Sequence, residues 1–133
     1  MSLPIPTEHQ EQVALMQWAK LQHKAMPALE LMFAVPNGGA RNVVVAKKLK
    51  GEGVKAGVPD LFLPVARKPY HGLFIEMKRT DKRPTRDGVK GGVSDKQEWW
   101  ISKLKEQGYK VEVCYGWKEA AEIIEDYLLN YLF

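Results

Sequence analysis

Apolar and polar positions alternate along this chain in two rhythms, and the changes between them outline the fold. Val13, Leu15, Met16, Trp18, Ala19 and Leu21 recur at helical spacing, and Thr7 followed three residues later by Gln10 has the form of a capping box. A first helix is therefore predicted over about residues 8–24. Leu29, Leu31, Phe33 and Val35 then alternate like a short strand that Pro36-Asn37-Gly38-Gly39 stops. Asn42 is placed to cap a second, short helix carrying Lys47, Lys48 and Lys50 and closed by Gly51 and Gly53. Two apolar runs, 60–66 and 72–79, flank Arg67-Lys68-Pro69-Tyr70-His71 and predict a hairpin. Residues 80–93 are glycine-rich and basic, which predicts a mobile loop. Ser94 with Gln97 repeats the capping-box spacing and opens a third helix through Trp100, Ile101 and Leu104 to near Gly108. A strand through Val111 and Val113 and a helix over about 117–131 complete the order αβαββαβα, an α/β fold with one mixed sheet flanked by helices.

Composition narrows this picture without changing it. The 133 residues suit a single domain spanning 1–133, and 45% hydrophobic with 27% charged residues lies in the range of packed globular proteins. Twenty Lys and Arg against 16 Asp and Glu give a formal charge of +4, which favours an anionic partner. Cys114 sits inside the apolar alternation 109–115 and reads as a buried strand thiol; with no second cysteine, a cytosolic setting is expected. No apolar run is long enough to span a bilayer, and the first residues lack the pattern of a signal peptide. His9, His23 and His71 are scattered and form no metal-ligand pattern.

The chemistry concentrates on the predicted hairpin. Alternate side chains of a strand share a face, so Glu76 and Lys78 point one way while Leu73, Ile75 and Met77 point into the core. On the partner strand Leu61, Leu63 and Val65 make the matching apolar face and leave Asp60 on the other. Folding the hairpin about Lys68 sets Asp60 opposite Glu76. Two neighbouring carboxylates repel, and a divalent cation relieves the repulsion; oxygen ligands without a His or Cys cluster favour Mg²⁺ or Mn²⁺. Such an ion can activate water against a phosphodiester, with Lys78 orienting the water or neutralising the phosphate. The plainer alternative is a ladder of ion pairs on an exposed sheet face.

Val58-Pro59-Asp60 and Glu76-Met77-Lys78 match the two halves of the PD-(D/E)XK nuclease motif. The wider frame adds Glu8 and Gln12, Pro36-Asn37-Gly38-Gly39, Gly57-Val58-Pro59-Asp60-Leu61 and Ser94-Asp95-Lys96-Gln97. In that order these segments resemble the virus-type replication-repair nuclease (VRR-NUC) domain over nearly the whole chain, in a stand-alone phage or prophage form. The resemblance implies a metal-dependent endonuclease acting on structured DNA in the bacterial cytoplasm, similar to Holliday-junction resolvases that work as homodimers. It also implies that Asp60, Glu76 and the Met77 carbonyl ligate the metal, that Glu8 approaches it directly or through water, and that Gln97 supports the site.

Several assignments stay open on the residues alone. Glu11 rivals Glu8, since both lie in the first helical turns, and Gln97 is equally explained as the capping partner of Ser94. Arg79, Lys82, Arg83, Arg86, Lys90 and Lys96 are candidates for gripping DNA phosphates, and Asn37 and Arg41 for contacting DNA from the neighbouring loop. Trp99 and Trp100 are adjacent, so at most one can face the core squarely. The apolar tail 127–133 exceeds what one buried helix face needs and suggests a dimer contact. A flap or nicking nuclease, or a DNA-binding module without catalysis, are the alternative functions.

Overall fold

Thr7 and Ser94 start two of the helices in the same way. Each side chain accepts the backbone N–H three residues on, and the Gln at that position reaches back to the cap's own N–H. The computed structural model describes residues 3–36 and 43–133. Its helices are α1 (Glu8–Gln22), α2 (Val43–Gly51), α3 (Asp95–Glu106) and α4 (Trp117–Asn130), with 3-10 turns at Pro27–Leu31 and Thr80–Lys82. Its strands are β1 (Phe33–Ala34), β2 (Leu61–Leu63), β3 (Leu73–Lys78) and β4 (Lys110–Tyr115).

The strands form one four-stranded mixed sheet in the order β1-β2-β3-β4. The first two pairings are antiparallel; β3 and β4, joined through α3, are parallel. Leu15 and Ala19 of α1 and Ala120, Ile124 and Tyr127 of α4 pack with Leu61, Leu63, Leu73, Ile75, Met77 and Cys114 into one core. All of β3 is buried, so its other face is covered too. There Phe74 stacks on Phe62 at 4.2 Å between ring centroids, with Tyr109 edge-on, and Glu76 and Lys78 follow along the strand.

Three expectations need correction. Residues 29–35 are not one strand: Met26, Leu29 and Met32 are buried at a period of three, Pro27 opens a 3-10 turn, and only Phe33–Ala34 joins the sheet. The β2 run stops at Leu63 because Pro64 has no N–H to offer the ladder. The basic segment after β3 is pinned at several points. Tyr115 Oη donates to the Gly91 carbonyl (2.9 Å), Arg83 pairs with Glu119 (2.6 Å), and Lys90 pairs with Asp95 (2.5 Å) and Glu98 (3.5 Å).

Candidate active site

The hairpin register decides the site. Leu61 faces Ile75 and Leu63 faces Leu73, so the fold is centred on Lys68 and the next pair outward is Asp60 with Glu76. Asp60 sits just before β2, and its Oδ2 accepts a 2.7 Å hydrogen bond from the Met77 backbone N–H, which holds the carboxylate against β3. The loop before it is fixed by Gly57, whose φ of +93° suits glycine and where a Cβ would lie 2.9 Å from the backbone of Lys96 in α3. This close approach brings the Val58-Pro59-Asp60 segment and the start of α3 together.

Glu76 and Lys78 are 1% and 6% exposed, which excludes a solvated ion-pair ladder. Buried charges of this kind are costly unless satisfied. Lys78 Nζ lies 3.6 Å from Glu76 Oε2 and donates to Gln97 Oε1 at 3.0 Å. Gln97 Oε1 also accepts the Ser94 N–H at 2.9 Å, so both of its contacts are with donors and the amide must turn its Nε2 toward Glu76 Oε2, at 3.3 Å. Gln97 is therefore both the capping-box partner and a member of the site.

Burial above all pushes the Glu76 carboxyl up to about 9, helped by the charge of Asp60 and a hydrogen bond to it, with Lys78 opposing and the charge of Glu8 adding. Two acidic groups thus share what one anion can occupy. Glu76 Oε1 is buried with no hydrogen-bond partner. An orphaned carboxylate oxygen beside a second carboxylate is what a cation ligand looks like without its cation, so these residues fit a divalent metal. Among the described residues no three acidic, His or Cys side chains converge as a full ligand set. Two carboxylates suffice for Mg²⁺, which usually keeps several waters and takes substrate phosphate as a further ligand.

Glu8 and Glu11 separate clearly. Glu8 is exposed at the start of α1 and within electrostatic reach of Glu76. Glu11 is 6% exposed and faces the N-terminus of α4, where Trp117 N donates to its Oε1 at 3.4 Å and where the N-cap, Gly116, has no side chain to offer.

The predicted DNA contacts divide. Lys82, Arg86 and Lys96 are exposed. Arg79 is engaged by Asp81 at 2.9 Å, Arg83 by Glu119, and Lys90 by Asp95 and Glu98. Asn37 and Arg41, like the cap residue Asn42, lie outside the described residues. The sequence reading missed Tyr115, which pairs with Lys78 across the β3–β4 register and anchors the basic segment through Gly91. Only the parallel pairing of β4 with β3 reveals it.

A family model for the VRR-NUC domain matches residues 5–118. The chain belongs to the VRR-NUC family. A solved structure described as a VRR_NUC domain protein aligns with it at a TM-score of 0.71 and 33% identity, covering 93% of this chain and 89% of the other. No curated protein matches. VRR-NUC is a nuclease-type domain, so DNA is the substrate class, and among the described residues no helix is long and apolar enough to cross a membrane.

Proposed function

We propose that this VRR-NUC chain is a divalent-metal-dependent endonuclease that hydrolyses phosphodiester bonds in branched DNA, four-way junctions foremost, acting as a homodimer in the cytoplasm of a bacterial host. The observation that carries the reading is the buried Glu76, with its unpartnered Oε1, beside the half-buried Asp60 and flanked by Lys78.

Asp60 and Glu76 would hold Mg²⁺ or Mn²⁺ together with the Met77 carbonyl, and Glu8 would reach the same place through water. The bound ion supplies Lewis acidity to a phosphodiester oxygen and lowers the pKa of water. Lys78, steadied by Gln97, presents an ammonium group beside the carboxylates, where it can orient water or offset charge that builds on the phosphate. Met77 contributes its rigid backbone: its side chain is fully buried and its N–H fixes Asp60. Lys82, Arg86 and Lys96 supply exposed charge for phosphates, a mode of contact that reads shape more than sequence.

Leu129, Leu132 and Phe133 are 59%, 73% and 85% exposed beside the buried stripe of α4, which supports self-association through this edge. A two-fold dimer would present two sites to two strands of a branch point. A monodisperse monomer by light scattering would count against it.

The test is cleavage of end-labelled four-way junction, flap and linear duplex with Mg²⁺, Mn²⁺ or EDTA. Paired, symmetric nicks in the junction, dependent on metal, are expected. Cutting of flaps or linear duplex alone replaces the substrate with another, and junction binding without cutting in any metal makes the chain a DNA-binding module.

A further inference from the structure

Trp99 and Trp100 form an edge-to-face pair, 5.2 Å between centroids at 87°, near the N-terminal end of α3. Trp99 is 55% exposed, an unusual position for the largest apolar side chain. With Trp100, Lys55, Ala56 and Lys96 it lines an open recess of about 360 Å³. Lys103 Nζ stands 6.0 Å from the Trp99 ring centroid. No carboxylate is among the lining residues, and among the described residues no ion pair engages Lys55 or Lys96. The recess is therefore aromatic and cationic at once.

Its place in the fold adds to this. Trp100 lies three positions after Gln97, about one helical turn along the same side of α3, and Gln97 bonds both Glu76 and Lys78. Lys96 packs through its backbone on Gly57, three residues before Asp60. The recess thus lies on the helix that carries Gln97, beside the Gly57 turn that leads to Asp60.

We infer that this recess is a stacking site for an unpaired nucleobase of a DNA strand, with Trp99 as the platform and Lys55 and Lys96 holding the adjoining phosphates. Stacking on an exposed aromatic ring within a positive groove is how single-stranded DNA is bound without sequence preference. A second copy of the chain fits less well, because a two-fold contact would set this lysine cluster against its own image and lysine is depleted from interface cores. The inference rests on the DNA-acting reading above and adds a requirement for an unpaired base in the bound DNA.

Binding in EDTA, where no cleavage intervenes, tests it by fluorescence anisotropy on two labelled probes: a duplex carrying a three-nucleotide single-stranded gap, and the same duplex fully paired. For Trp99→Ala the Kd on the gapped probe is expected to rise about five- to a hundredfold, with the paired probe shifting less than about twofold. Trp99→Phe, which keeps a ring, should hold most of the affinity. Equal losses on both probes, or none on either, overturn the stacking site. So does a drop in oligomer mass of Trp99→Ala by light scattering, which would make a second copy the occupant. Failure of the nuclease reading is seen separately, as wild-type chain that cuts no DNA in Mg²⁺ or Mn²⁺.

Discussion

Gln97 Nε2 donates to Glu76 Oε2 at 3.3 Å, so the helix that starts at Ser94 reads the protonation and position of a buried strand carboxylate. The same amide takes the Lys78 ammonium on its oxygen, which ties the helix cap and the Glu76–Lys78 pair to one side chain.

Ser94 and Gln97 should therefore separate on mutation. Ser94→Ala removes the cap and costs about 1 kcal/mol in stability, with little change in cleavage rate of the folded protein. Gln97→Ala loses the cap's reciprocal bond and also takes from Lys78 its hydrogen bond, leaving it only the Glu76 pair, so cleavage should fall about tenfold or more, given that misplaced catalytic groups are costly. Urea melts with single-turnover cleavage make the comparison. Equal rates for both variants would leave Gln97 with capping alone.

Glu8 and Glu11 should exchange the two kinds of loss. Glu11→Ala takes a buried acceptor from the start of α4 and is expected to cost about 1–2 kcal/mol while the folded protein still cuts DNA. Glu8→Ala alters an exposed residue, so its melting temperature should hold while metal-dependent cleavage drops. Thermal melts and cleavage rates on both variants give the answer.

The pH dependence of metal-free protein follows from Glu76. Its folded pKa, pushed up to about 9 from 4.5, means that the folded state holds a proton that the unfolded chain has released between those values. The contribution is fully present below about 4.5 and is lost as pH rises through about 9, at up to roughly 1.4 kcal/mol per pH unit. Glu76→Gln cannot titrate. In EDTA the stability of wild type should thus decline toward pH 9 relative to Glu76→Gln, as read from urea midpoints every half unit. Parallel curves would contradict the buried proton.

The cations after β3 should differ in their salt signatures. Lys82 and Arg86 are exposed, so alanine at either is expected to lower the salt slope of DNA binding by about one ion per charge. Arg83 is held by Glu119 and by the Tyr115 carbonyl; Arg83→Ala should act on the segment's placement, weakening binding with little change in slope. Binding isotherms from low to moderate salt discriminate the two.

Much of the fold and of the candidate site is legible in the sequence. The Asp60–Glu76 pairing follows from a count about Lys68, because strand pairing is antiparallel and its period is two. Both capping boxes are local in sequence and were read directly. The 3-10 turn at Pro27–Leu31 was hidden because Leu29, Leu31, Phe33 and Val35 also fit a period of two, and only burial of Met26 and Met32 selects three. That Glu11 is engaged at the start of α4 depends on a contact more than 100 residues away in the chain, which local sequence does not carry. The role of Tyr115 depended on parallel pairing, for which an isolated strand carries no signal.

Everything proposed for this chain turns on Asp60 and Glu76 holding the metal that cuts DNA. The most direct measurement is Mn²⁺-dependent cleavage of a labelled four-way junction by wild type and Glu76→Gln, with melting temperatures taken in the same buffers. Cleavage that EDTA abolishes, a loss of about a hundredfold or more in Glu76→Gln, and a Mn²⁺-induced rise in melting temperature seen only in wild type are expected. Cleavage that persists in EDTA, or in Glu76→Gln at the wild-type rate, would contradict that assignment.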